Sequence, residues 1–156
     1  MLHSGDFDSQ FRLQLTSGPS GTGVTTLEDI TEGSEVIRFE GDVVPWDAVP
    51  DTEIIYVMMS DTGDWVIPRT NARFVNHSCQ PNMRLDERRM SIATRAIRAG
   101  ESLSFSYNVL EPFEIERRRV HPAWYFWDER WSFDCLCGSE ACQGRIAGYV
   151  DRGAAS

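Results

Sequence analysis

The chain has 156 residues, 41% of them hydrophobic, with five tryptophans and a formal net charge of −9. That is enough chain for one domain with a real core, and too apolar for a disordered segment. The acidic balance disfavours direct, sequence-independent binding to nucleic acid, which depends on Lys and Arg neutralising phosphates; it suits a basic protein partner, and equally suits plain solubility. No run of eighteen apolar residues would span a membrane, and Met1 to Asp6 lacks the basic and apolar regions of a secretory signal. The expectation is a soluble, intracellular protein in a reducing compartment, with cytoplasm and nucleus not separated.

In chain order, residues 1–10 read as a frayed leader. Phe11 to Leu15 alternates apolar and polar residues, as a short half-buried strand does. The stretch from Thr16 to Gly23 is dense in Gly, Ser, Thr and Pro, so it reads as a turn that lets backbone N–H groups approach a ligand. Taken alone it is most simply a hairpin turn, and no phosphate-binding helix follows it. Strands are predicted over Val24–Leu27, Val36–Phe39, Ile54–Met59, Trp65–Ile67, Met83–Leu85, Met90–Thr94 and Ser102–Tyr107, separated by polar turns. Only Glu111 to Arg130 leaves room for helix, interrupted at Pro122. Many short strands with frequent turns predict a mostly-β domain of several small sheets.

Two constellations carry chemistry. Cys135, Cys137 and Cys142 lie within eight residues, and Cys79 is the one other cysteine. In a chain without secretory context this spacing reads as zinc rather than disulfides. Adjacent thiolates repel unless a divalent cation neutralises them, and zinc takes four in a tetrahedron. Such a closed site is structural, and it would tie the tail to the segment Arg73–Asn82. His77 is an alternative fourth ligand or a hydrogen-bonded core histidine, and buried or redox-active cysteines are the alternative to a metal. The second constellation is Tyr107, which ends an alternating strand and could face a cleft, although a tyrosine there is more often simply packed. The aromatic cluster Trp124–Trp127, with Trp131 and Phe133, reads as core before it reads as a binding channel.

These residues resemble SET-domain protein lysine methyltransferases that carry a post-SET zinc segment. Gly21-Thr22-Gly23-Val24 is similar to the GxG loop, and Arg73-Phe74-Val75-Asn76-His77-Ser78-Cys79 matches the RFxNHSC motif. Gly100 to Tyr107 resembles GEELxFDY, and Cys135-Leu136-Cys137 with Cys142 is the post-SET CxCx4C pattern. The likeness runs in order from about residue 11 to 148. It implies a mostly-β SET fold of small sheets with a knotted C-terminal part, short helices and a zinc-bound tail. The domains expected are residues 11–110 (SET), 111–134 (a variable aromatic and charged insert) and 135–151 (post-SET). It further implies that Ser20, Gly21, Thr22, Arg73, Phe74, Asn76 and His77 contact S-adenosylmethionine, that Leu136 covers the adenine, and that Tyr107 is catalytic. Structural zinc would sit on Cys79, Cys135, Cys137 and Cys142, and the partner would be a lysine-containing protein or peptide such as a histone tail.

Ser106 stands where the family usually has Asp, the aromatic-x-Gly-Glu element is reduced to Phe39–Asp42, and the segment Asn108–Asp134 is longer than usual. The family's product-setting Phe or Tyr falls in that segment, with Trp124 to Trp127 as candidates. A catalytically silent SET-like module that binds a basic peptide or protein is the second expectation, and a purely structural zinc protein the third.

Overall fold

The computed structural model describes residues 7–18, 21–60, 64–120 and 127–151. In chain order the strands are β1 (Leu13–Gly18), β2 (Gly21–Thr26), β3 (Glu35–Arg38), β4 (Gly41–Val44), β5 (Met58–Met59), β6 (Trp65–Pro68) and β7 (Asn76–His77). They continue with β8 (Met83–Leu85), β9 (Met90–Ala93), β10 (Ser104–Phe105), β11 (Val109–Leu110), β12 (Phe133–Asp134), β13 (Arg145–Ile146) and β14 (Val150–Asp151). One α-helix, α1 (Pro112–Val120), and several 3-10 turns complete the described residues. No helix among them is long and apolar enough to cross a membrane.

Among the described residues six small sheets result: the hairpin β1–β2, the three-stranded β4–β6–β5 and β3–β9–β8, and the pairs β7–β10, β11–β14 and β12–β13. The turn-rich stretch predicted over 16–23 is mostly strand, because the β1–β2 ladder runs without a break from Leu13↔Thr26 to Gly18↔Gly21. Ser20 lies outside the described residues, as do Asp61–Gly63 and Trp124–Phe126.

The leader expected to fray is anchored from Phe7 onward. Phe7 is fully buried, and Arg38 N–H donates to the Asp8 carbonyl at 3.1 Å. Phe7 joins Leu13, Val24, Ile37, Met83 and Leu103 in the main core. A second core gathers Val49, Ile54 and Trp65, with Trp46 and Trp131 packed against them.

The strand expected over Ile54–Met59 is corrected. Asp51–Tyr56 forms a 3-10 helix and only Met58–Met59 pairs, with β6. Pro50 starts that turn by accepting Glu53 N–H at 2.9 Å, and Ile54 points into the second core while Ile55 is exposed. Tertiary packing outweighs the β-branched composition here. Strand β4 was not anticipated, and it depends on Gly41, where a Cβ would lie 1.7 Å from the Ile67 carbonyl oxygen. Helix α1 begins with proline at its first position, carries Glu114 in its first turn and Arg117 to Arg119 in its last, and so complements the helix dipole.

The pairing that organises the site joins distant segments. β7 lies parallel to β10, with Asn76↔Ser104 and His77↔Phe105 in register. Asn82 fastens the same two segments. Its buried amide accepts Ser104 N–H and donates to the Ser102 carbonyl, each at 2.9 Å. The strand β2 flanks the junction through Leu103 N–H to the Val24 carbonyl, 2.8 Å.

Candidate active site and metal centre

All four cysteines are free thiols, and their sulfur atoms lie within 4.8 Å of one another. Cys79 and Cys135 sulfurs are 3.8 Å apart. Four thiolates about 2.3 Å from a zinc ion have tetrahedral edges of about 3.8 Å, so the cluster fits the ion. Backbone N–H groups point into it: Gln143 N–H donates to Cys79 at 3.2 Å and Gly144 N–H to Cys142 at 3.4 Å. The Ser139 hydroxyl is 3.3 Å from Cys137 sulfur. Four neighbouring thiols cannot all ionise unaided, and burial pushes Cys135 up to about 12 and Cys79 above its usual value. A divalent cation removes that conflict.

His77 is not one of this group, and its two nitrogens are occupied within the protein. Nδ1 accepts Tyr107 N–H at 3.0 Å, and Nε2 lies 3.4 Å from Cys79 sulfur. Burial lowers its pKa to about 4, so the ring is neutral at pH 7.

Tyr107 is held at both ends, by His77 and Val75. Its N–H meets His77 and its hydroxyl donates to the Val75 carbonyl at 2.5 Å. Ser106 turns the chain just before it leaves the sheet, because its hydroxyl accepts Val109 N–H at 3.0 Å. That turn is why the alternating run Ser102–Tyr107 stops pairing with β7 after Phe105, while its start bridges β2 at Thr25↔Ser102. Tyr107 is 40% exposed along the cleft, but desolvation of its phenol by the surrounding walls, and then the neighbouring Tyr56, push the phenol above its ordinary pKa. It is therefore a neutral hydrogen-bonding group and not a base.

Tyr107 borders a cleft of about 670 Å³ that also meets Thr22, Arg73, Phe74, Asn76, His77 and Leu136. Gly21 lies instead on an adjoining cavity of about 380 Å³, which shares Asn76, His77 and Leu136. The hairpin reaches the β7 strand through Gly23, where a Cβ would sit 2.7 Å from the Asn76 amide nitrogen. Leu136, between two of the cysteines, is 61% exposed, an apolar side chain at the mouth of both cavities. Arg73 and Phe74 are presented by a 3-10 turn capped by the Thr70 hydroxyl, which accepts Ala72 N–H at 3.2 Å. The Arg73 guanidinium is engaged by Glu53 (2.8 Å), the Pro68 carbonyl (2.5 Å) and the Tyr56 ring, 4.5 Å from its centroid.

Two wall residues, Phe105 and Tyr56, escaped the sequence reading, and Phe133 joins them from the aromatic cluster. Phe105 and Phe133 pack on Tyr107 with ring centroids 5.1 and 6.0 Å away, and Tyr56 lines the same cleft. Phe105 was findable, because positions two apart on a strand share a face. Phe133 belongs to the aromatic cluster read as core before channel, whereas Tyr56 arrives through tertiary contacts and leaves no local signal. Trp127 and Trp131 are both cleft wall and packed aromatic core, since each contacts the other at 5.6 Å while lining the cavity.

A family model described as SET domain matches residues 21–108. The chain is 32% identical to histone-lysine N-methyltransferase EHMT1 of Homo sapiens, over 93% of this chain and 12% of that protein. It is 30% identical to histone-lysine N-methyltransferase SUV39H1 of Xenopus laevis, over 86% of this chain and 39% of the relative. An H3 lysine-36 specific histone-lysine N-methyltransferase of Chaetomium globosum is 32% identical over 82% of the chain and 15% of its own length. The chain thus spans well under half of each of these curated relatives. With the matched segment covering more than half of the residues and the NHSC strand lying beside the Tyr107 segment, this chain belongs to the SET-domain family.

Proposed function

We propose that the chain is the catalytic domain of an S-adenosylmethionine-dependent protein-lysine N-methyltransferase, with zinc on Cys79, Cys135, Cys137 and Cys142. The observation that carries this reading is the placement of Tyr107, a neutral phenol fixed at both ends on the wall of a 670 Å³ cleft. When bound, S-adenosylmethionine supplies an electrophilic methyl group for in-line attack by an amine.

The chain's residues have three tasks. Gly21, Thr22, Asn76 and Leu136, with Ser20 outside the described residues, hold the methyl donor. Phe74 adds apolar wall, and His77 contributes through its backbone or ring face because its nitrogens are taken. Arg73 acts at one remove, holding Tyr56 and Glu53 in place. The lysine amine, with an unperturbed pKa of about 10.4, must arrive neutral, and the apolar wall of Phe105, Phe133 and Tyr107 lowers that value by desolvation. Because the Tyr107 hydroxyl spends its proton on Val75, its oxygen is left to accept from the lysine N–H and aim the nitrogen lone pair. Zinc takes no part in the transfer, since its four positions are filled by thiolates.

The substrate proposed is a lysine-containing protein segment, and the names of the relatives make histone tails the first to try. Methyl transfer from labelled S-adenosylmethionine to mixed core histones tests the reading. Wild type should label them, and Tyr107→Phe should lower the rate by a factor of about a hundred or more at unchanged donor affinity by calorimetry. Donor binding without transfer to histones or cell-lysate proteins would support the silent module instead.

A further inference from the structure

The imidazole of His77 makes two hydrogen bonds that end in different parts of the molecule. On one side Tyr107 N–H reaches Nδ1 at 3.0 Å, and on the other Nε2 lies 3.4 Å from Cys79 sulfur. An amide N–H can only donate, so Nδ1 is the bare nitrogen. The single proton of a neutral ring then sits on Nε2 and is aimed at the sulfur. Geometry alone fixes this tautomer.

The ring has little freedom to do otherwise. It packs edge-on against Tyr107 and Phe133, with centroids 5.3 and 5.6 Å away, and its backbone is in register with Phe105. Cys79 sulfur therefore receives one donor from the tail, Gln143 N–H at 3.2 Å, and one from the strand that carries the active-site motif. A donor to a metal-bound thiolate is charge-assisted, and drawing the Nε2 proton toward sulfur makes Nδ1 a stronger acceptor for Tyr107 N–H. Partners that bond metal ligands in this way orient the ligands and respond to the ion.

We propose that His77 is a positioning residue that couples the four-cysteine metal centre to Tyr107, so that the metal helps to set the phenol's place and does more than fasten the tail. This rests on reading the cysteines as a metal site and Tyr107 as the hydroxyl that aims the substrate amine. Each reading has its own readout in the test.

The full chain is loaded with zinc or with cadmium, and the amide resonance of Tyr107 is followed by 15N–1H NMR. Two variants are compared with wild type. His77→Phe keeps the ring contacts and removes both nitrogens. His77→Asn places a carbonyl near Tyr107 N–H but cannot reach Cys79. In wild type the Tyr107 resonance should move on metal exchange. In both variants it should stay still at unchanged metal stoichiometry, with kcat lowered roughly tenfold. A wild-type resonance indifferent to the metal, or one that still moves in a folded variant, would overturn the coupling. Absence of a four-thiolate cadmium signal in wild type would instead overturn the metal site. Absence of transfer by wild type would overturn the methyltransferase reading while the NMR arm still decides the coupling.

Discussion

The sheets of residues 7–110 and the tail from Trp127 to Asp151 are ordered by different forces. The first region closes on apolar side chains, with Phe7, Val24, Ile37 and Met83 all fully buried. In the tail, the buried apolar side chains among the described residues are Cys135 and Ile146. Two pairs of two-residue strands, β11–β14 and β12–β13, do not make a stable unit on that basis. What the tail has instead is the thiol cluster, and Asn108, whose amide donates to the Gly148 carbonyl at 2.9 Å and to Gln143 Oε1 at 3.1 Å. A segment too poor in apolar surface to fold on it is held by hydrogen bonds and by the thiol cluster that the proposed zinc would close. The cleft lies where the two regions meet, with Tyr107 from one and Phe133 and Leu136 from the other.

The largest expected effect comes from removing the metal. Chelation, or Cys137→Ser, should release the tail and forfeit docking free energy on the order of 10 kcal/mol, the scale of zinc binding in small peptides. Limited proteolysis should then cut after residue 127 while circular dichroism still reports the β core. Unfolding of the whole chain at the same point would show that the core cannot stand alone. The mirror-image test is Leu103→Ala, which opens a cavity beneath β2 in the main core. It should lower global stability by about 2–5 kcal/mol in denaturant melts, with zinc content of the folded protein unchanged. Smallest is Asn108→Ala, which removes a buried amide and takes the donor from the half-buried Gly148 carbonyl and the partner from the exposed Gln143 side chain. A loss of about 1–3 kcal/mol confined to the tail is expected, seen as faster amide exchange at Val150, whose N–H donates to the Asn108 carbonyl. Exchange that accelerates equally in β3 and β9 would erase the distinction between the two regions.

Much of this was legible in the chain. Alternation located β1, apolar runs between polar turns located β3, β6, β8 and β9, and thiol spacing named a set of four cysteines whose fourth member lies 56 residues from its nearest partner and which the fold brings together. Alternation failed where tertiary contacts overrode it. Apolar composition suggested a strand through Ile54 and Tyr56, but Pro50 and the Trp46, Trp65 and Trp131 cluster favour a 3-10 turn there. It also overextended β10, since nothing local says that Ser106 will accept Val109 N–H and turn the chain. The aromatic segment before the tail cysteines read as core, and Trp127 and Trp131 serve as core and cleft wall together.

By itself the sequence determined which chemical groups are available and in what order: four thiols, an imidazole, a phenol at the end of an alternating run and glycines in turn-rich stretches. Side-chain type and spacing are local properties, so they survive without the fold. Only the tertiary structure decided which atoms those groups would engage. It committed the Arg73 guanidinium to Glu53 and Tyr56, and the Tyr107 hydroxyl to a carbonyl 32 residues earlier. It also placed His77 between a cysteine sulfur and the Tyr107 amide. Those partners are set by the parallel pairing of β7 with β10 and by the docking of the tail, and hydrogen bonds across such separations exist only once both segments are in place.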